Sequence, residues 1–422
     1  MRFPGWYTPF AVINVALGAF SQLLPLYAYF LGAKAADVGL LAAVGSATAI
    51  FASVFWGKLT DISPRRRPLV LLGFFGLALG YALILVAARV KILFALNAGV
   101  TFIWMAASTA STLLVLAEFP KTLWETELGR FNALAGLGWT LGLALGGLWT
   151  LGFTRAIGEG WALRSLALFV AIIALVAGIL GLKTVPERPE SSRPIGQELV
   201  GLVGNFVAEV RRYGPLHILG ALSPVQLLRF FQGRTPFGPE LALCYYGEFL
   251  SFVAFSLVFA PFPVFLRQNL RWPNELVFVL YIAHHFISIF AYRWARRAIE
   301  ALGHRLTLAF SLFVRILIFA GFAAVERGAP AWLLPILFAL AGLSWAFFQL
   351  SATALVSRLA PEAIRGQAIG LYNAVAGLGN VAGASIGGYL ADGFGFAAPF
   401  LSAAALLFLT TPILLVEGRP AR

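Results

Sequence analysis

The chain is 422 residues long, 60% hydrophobic and 12% charged, with a mean hydropathy of +0.86. A soluble domain carries about 25% charged residues, so a water-soluble enzyme is excluded. The net charge of +13 sits in short loops beside apolar runs, where it faces lipid headgroups and directs insertion, which excludes nucleic acid as the partner.

A helix needs about 20 apolar residues to cross a bilayer core. Runs of that length lie near 8–31, 36–57, 68–89, 92–117, 130–153 and 162–182, and after a break near 244–266, 274–294, 306–325, 332–356, 366–390 and 396–416. The first run is long and lacks a small-residue cleavage signal, so it reads as a retained span. The expected fold is an all-α integral membrane protein, with twelve transmembrane helices in two pseudo-symmetric six-helix bundles, residues 1–184 and 244–422. Between them, residues 185–243 form a cytoplasmic linker. It opens on the stretch from Pro186 to Pro194, and an amphipathic helix is expected to follow, because Ile195, Leu199, Leu202, Phe206 and Val210 recur at helical spacing.

With both termini in the cytoplasm, 22 basic residues fall inside, eight fall outside and Arg315 lies within a span, as the positive-inside rule requires. Five lysines against 26 arginines suit a GC-rich prokaryotic genome and hence a prokaryotic cytoplasmic membrane. The single cysteine, Cys244, can form no internal disulfide, and no metal or cofactor is expected.

A shift of 241 aligns residues 120–147 with 361–388 without a gap, and eleven of the 28 positions are identical. They include Pro120/Pro361, Gly129/Gly370, Asn132/Asn373 and Gly142/Gly383. Six spans separate the two copies, an even number, so the repeat is parallel. Gly138, Gly142 and Gly146, like Gly379, Gly383 and Gly387, recur every fourth residue and leave a smooth face for close helix packing.

Between the second and third spans lies Gly57-Lys58-Leu59-Thr60-Asp61-Ile62-Ser63-Pro64-Arg65-Arg66-Arg67, in which Gly57 and Asp61 are one turn apart. A weaker copy after the eighth span runs from Arg296 to Arg305, with Glu300 in the acidic place. The span count, the duplication and this loop resemble the major facilitator superfamily of secondary transporters over almost the whole chain. The resemblance implies a cytoplasmic gate at Gly57, Asp61, Arg65, Arg66, Glu300 and Arg305, in which the Asp61 carboxylate meets the N-terminus of the eleventh span. Pro64 stands where the family usually has glycine. Leu143 replaces the proline of its antiporter signature, and Ala95 replaces its fourth-span arginine.

Asn97, Thr101, Trp104, Ser108 and Ser111 share one face of the fourth span. The resemblance makes the first, fourth, seventh and tenth spans line the cavity, so Asn14, Gln22, Trp345 and Gln349 join that face as substrate candidates. The same serines and threonines could instead bond their own helix carbonyls.

No acidic residue lies at mid-depth. Glu118 and Glu248 come closest, each about one turn inside a cytoplasmic helix end, and Asp392 sits near the external end of the eleventh span, so coupling through a buried carboxyl is not expected. His284, His285 and Arg315 are the polar groups left at mid-depth and are the coupling candidates.

Gly57-Lys58 lacks the upstream glycine and the following Ser or Thr of a phosphate loop, which disfavours a nucleotide-driven pump. No catalytic constellation is present. The favoured function is a secondary transporter that moves a small organic solute by alternating access, as a monomer in the bilayer and with or without a coupling ion, with export the favoured direction. An importer or uniporter of a polar or anionic metabolite is the alternative, as is a non-transporting sensor or scaffold.

Overall fold

Every long apolar run becomes helix in the computed structural model, which describes residues 4–62, 65–120, 123–187, 239–361 and 365–415. A chain in hydrocarbon must satisfy each backbone N–H and C=O internally, and helices do so segment by segment. There is no strand among the described residues.

The helices are α1 (Thr8–Phe30), α2 (Ala35–Ile62), α3 (Arg67–Leu83), α4 (Val90–Glu118), α5 (Trp124–Ile157), α6 (Glu159–Thr184), α7 (Pro239–Phe259), α8 (Phe262–Gln268), α9 (Asn274–Leu302), α10 (His304–Glu326), α11 (Leu333–Leu359), α12 (Arg365–Phe394) and α13 (Ala397–Leu415). They supply twelve candidate membrane spans, with α7 and the short α8 sharing one. That span is broken at Pro261, where proline has no N–H to give the helix. Gly158 and Gly303, each with φ of 81°, lie between α5 and α6 and between α9 and α10. Glycine takes this left-handed conformation without the steric cost a side chain would add. The amphipathic helix expected within 185–243 falls outside the described residues from 188 to 238.

Among the described residues, the contacts gather the chain into two compact units, one drawn from residues 1–33, 47–209 and 272–279 and the other from 34–46, 210–271 and 280–422. In the first unit α1 packs on α5 and α6, and α3 on α4 and α6. In the second, α7 packs on α12 and α13, and α10 on α11 and α13. The two lists are one pattern written twice, so the duplication read from the sequence persists in the packing. The unit boundaries cross the repeat, because the start of α2 belongs to the second unit and the start of α9 to the first.

The glycine faces set these contacts. A side chain at Gly138 or Gly142 would strike the α1 carbonyls of Ala11 or Val15, and one at Gly379 or Gly383 the α7 carbonyls of Phe249 or Val253. From these pairs, α1 and α7 correspond by a shift of 238 (Ala11 to Phe249, Val15 to Val253), whereas α5 and α12 correspond by 241. Gly146 meets the ring of Phe278, and Gly387 the Leu257 backbone. Elsewhere large apolar side chains stay exposed, among them Leu79, Leu148, Phe394 and Phe408, an arrangement suited to hydrocarbon as solvent.

Candidate functional site

On α4 the predicted polar face is present, with Asn97 and Ser111 buried and Thr101, Trp104 and Ser108 half-buried. Part of its polarity is spent locally. Ser111 donates to the Ser108 carbonyl at 2.8 Å, and on α1 Asn14 donates to the Phe10 carbonyl at 2.8 Å. Gln22 keeps more freedom. Its amide nitrogen reaches the Ser21 hydroxyl at 3.4 Å, while its buried oxygen has no partner among the described residues.

In the second unit Trp345 stacks with Phe348 and meets Phe252 and Phe255 of α7 edge-on, at centroid distances of 6.0, 6.2 and 6.2 Å. Gln349, one turn on, donates to the Thr353 hydroxyl at 3.4 Å. Within the second unit these rings form one aromatic cluster, and the first unit's α4 carries a separate polar face; aromatic rings with a few polar groups are the kind of lining small-molecule sites commonly have.

Arg315 is the largest fully buried side chain. Its Nε donates to Ser344 Oγ and its Nη2 to the Ala341 carbonyl, both at 3.1 Å, and the guanidinium lies 4.3 Å from the Phe255 ring centre, with Phe259 and Trp345 beyond. The charge is thus held by a carbonyl, a hydroxyl and aromatic faces. His284 bonds the backbone at Phe338, and its ring meets Phe259, Phe338 and the neighbouring His285. Its Nδ1 has no partner among the described residues.

The expected gate residues fall in both units. A side chain at Gly57 would meet nothing within 4 Å among the described residues. The Asp61 side chain lies outside the described residues, as do 362–364 ahead of α12. Arg65 is exposed, and Arg66 donates to the Leu113 carbonyl of α4 at 2.8 Å, tying the loop to its own unit. Glu300 pairs with Arg296 one turn back on the exposed face of α9, whereas Arg305 pairs with Glu240 of α7 at 2.8 Å and reaches the Leu414 carbonyl.

Three contacts escaped the sequence reading. At the far end of α12, Asp392 accepts the backbone N–H groups of Ala35 and Ala36 at 3.1 and 2.9 Å, so one carboxylate caps the first turn of α2. At the start of α9, Asn274 donates to Glu159 of α6 at 2.9 Å. Near the other end of the first unit, Glu127 of α5 accepts from the Tyr7 hydroxyl at 3.1 Å and from Arg130. Asp392 was visible as an external-end acid; its partner, 357 residues away, was not, and nothing in the sequence pattern singled out Glu159.

The sequence matches the profile of the Major Facilitator Superfamily over residues 10–326 and again over 297–422. Solved structures agree in fold. The nucleoside transporter NupG (D323A mutant) superposes with a TM-score of 0.74 at 15% identity, covering 97% of this chain and 99% of that one. The human organic anion transporter MFSD10 (TETRAN) gives 0.63 at 17% identity, covering 98% and 100%. A POT family transporter in complex with a thioalcohol-conjugated peptide gives 0.75 at 12% identity, covering 97% and 94%. No curated protein sequence matches the chain. At such identities likeness extends to the fold alone, and one fold carries many substrates.

Proposed function

Because the chain belongs to the major facilitator superfamily, we propose that this multi-pass membrane transporter moves a neutral or amphipathic organic solute by alternating access and works as an exporter. The observation that carries the substrate class is the aromatic cluster of Trp345 with Phe252, Phe255 and Phe348, whose one neighbouring charge, Arg315, is already bonded to Ser344 and Ala341, together with the α4 face of Asn97, Thr101, Trp104, Ser108 and Ser111. Rings supply apolar area and stacking, and the few amide and hydroxyl groups orient the solute. Nucleosides, organic anions and peptides are named for the structural neighbours. An anion suits this chain less well, since two donors of Arg315 already serve Ser344 and Ala341.

With the termini cytoplasmic, in a prokaryotic inner membrane, α2 and α9 begin at the external side. The Asp392 cap on α2 and the Glu159–Asn274 bond on α9 then act as external fastenings, and the glycine–aspartate–arginine loop at Gly57, Asp61 and Arg65 acts as the cytoplasmic one. Exchange of one fastening for the other is the alternating step.

A thermal-shift screen of the purified protein against neutral, cationic and anionic aromatic solutes tests the substrate class, followed by flux in proteoliposomes. Stabilisation and saturable flux of a neutral or amphipathic aromatic compound, lost in Trp345→Ala, are expected. Stabilisation by small anions alone would overturn this reading and favour import of an anionic metabolite.

A further inference from the structure

α7 is already helical at Pro239, so Glu248 stands nine residues, or about 13 Å, along it. The sequence reading placed it about one turn in because the apolar run starts at 244, after the helix has begun. Glu248 has no exposed surface, and neither carboxyl oxygen has a hydrogen-bond partner among the described residues. Other acids of the chain are held: Glu127 by Tyr7 and Arg130, Glu240 by Arg305, Asp392 by two backbone N–H groups.

The duplication supplies an internal comparison. Under the shift of 238 that relates α1 to α7, Tyr7 corresponds to Tyr245, and the equivalence is kept in their bonds. Tyr7 donates to Glu127, and Tyr245 donates to the carbonyl of Ala368, the residue 241 beyond Glu127. By the same shifts Phe10 corresponds to Glu248 and Phe131 to Tyr372. Phe10 and Phe131 meet edge to face at 5.0 Å. The packing of this corner is therefore satisfied by two apolar rings in one copy, whereas the other copy carries a carboxyl and a phenol. Nothing in the packing of the repeat calls for an ionisable pair there, and an ionisable group at membrane depth is expensive to keep without a function.

The surroundings decide what the carboxyl binds. Its titratable neighbours are Cys244, one turn back on α7, and Tyr372 of α12, both almost fully buried. Arg305 of α10 is turned to Glu240 and the Leu414 carbonyl. α13, which presents Leu414 to Gly247, has no titratable residue, and the charged residue of α11, Arg358, lies in its last turn. Among the described residues no cation is bonded to the carboxylate, and no group of three His, Cys, Asp or Glu side chains able to hold a metal occurs. A proton is the ligand that removes the cost of burying this group, and it needs no further partner.

We infer that Glu248, with Tyr372 beside it, is a proton-binding site inside the second unit, and that its proton is the coupling ion of the transporter. The site takes up a proton on one carboxyl oxygen when buried and returns it to water when the cytoplasmic end of α7 is wetted, with no other bond made or broken. This rests on the transport reading above.

The test uses the full chain in lipid nanodiscs, with one spin label in each half and infrared difference spectra over a pH series. In the wild type, a protonated-carboxyl stretch should titrate together with the distance distribution. In Glu248→Gln the stretch should vanish and the distances should hold their low-pH distribution at every pH. Tyr372→Phe, which restores the ring found in the other copy, should keep the stretch and raise its midpoint by about half a pH unit or more, since the carboxylate loses a potential donor; this variant carries the test if Glu248→Gln fails to fold. A folded Glu248→Gln with an undiminished pH response overturns the proposal. So do distances that answer to solute but not to pH, which leave transport standing. Distances fixed under every condition overturn both readings.

Discussion

Arg315 and Asp392 illustrate two ways of holding charge in this chain. Arg315 is packed within aromatic rings and bonded to Ser344 and Ala341, so its shape matters as much as its charge. Arg315→Met, which keeps volume without the buried charge, should change stability by no more than about 1 kcal/mol, whereas Arg315→Ala should cost about 2–5 kcal/mol through the cavity it leaves. Thermal unfolding of the purified variants separates the two. Asp392→Ala should cost about 1 kcal/mol, the ordinary value of a helix N-cap, and Asp392→Asn less, because an amide oxygen can still accept one of the two N–H groups. With the coupling proton on Glu248, His284→Ala should keep the pH response of the interhelical distances. At this scale the sequence was partly legible. It picked out Arg315 by depth alone, but its partners lie on two other helices, and nothing in a linear pattern names Phe255 or Ser344. Glu248 was misplaced because apolar runs mark where hydrocarbon begins, not where a helix does.

The glycine-rich helices are the clearest case of pattern predicting packing. Repetition every fourth residue identified the face of α5 and α12, and the structure supplies its partners, α1 and α7. Gly142→Leu and Gly383→Leu should each push two backbones apart and cost about 1–3 kcal/mol or more, read as a lower melting temperature. Gly57→Ala should be tolerated within about 0.5 kcal/mol in the conformation described, since its side chain would meet open space. Helix ends were harder to read than helix existence. α9 runs on to Leu302 and α5 begins at Trp124, both beyond their apolar cores, because polar residues continue a helix into the headgroup region at no cost. The break at Pro261 was hidden inside an otherwise unbroken apolar run.

For the molecule as a whole, composition sufficed for the class and the duplication for the architecture, since two copies of one six-helix pattern pack alike. What the sequence could not convey was the exchange at the ends of α2 and α9, whose first turns are held by the opposite repeat through Asp392 and Glu159. Those bonds join residues far apart in the chain, and no local pattern encodes them. In the transport cycle proposed above, these polar contacts are the external fastenings that would give way to the Asp61 loop.

The most direct test is a pair of distance measurements by spin labelling, one across the helix ends near Asp392 and Ala35 and one across the ends near Asp61 and Arg365, with and without a stabilising solute. Alternating access predicts that the two distances change in opposite senses, with Asp392→Ala lengthening the first and shortening the second even without solute. Two distances that stay fixed, or that lengthen together, would contradict it.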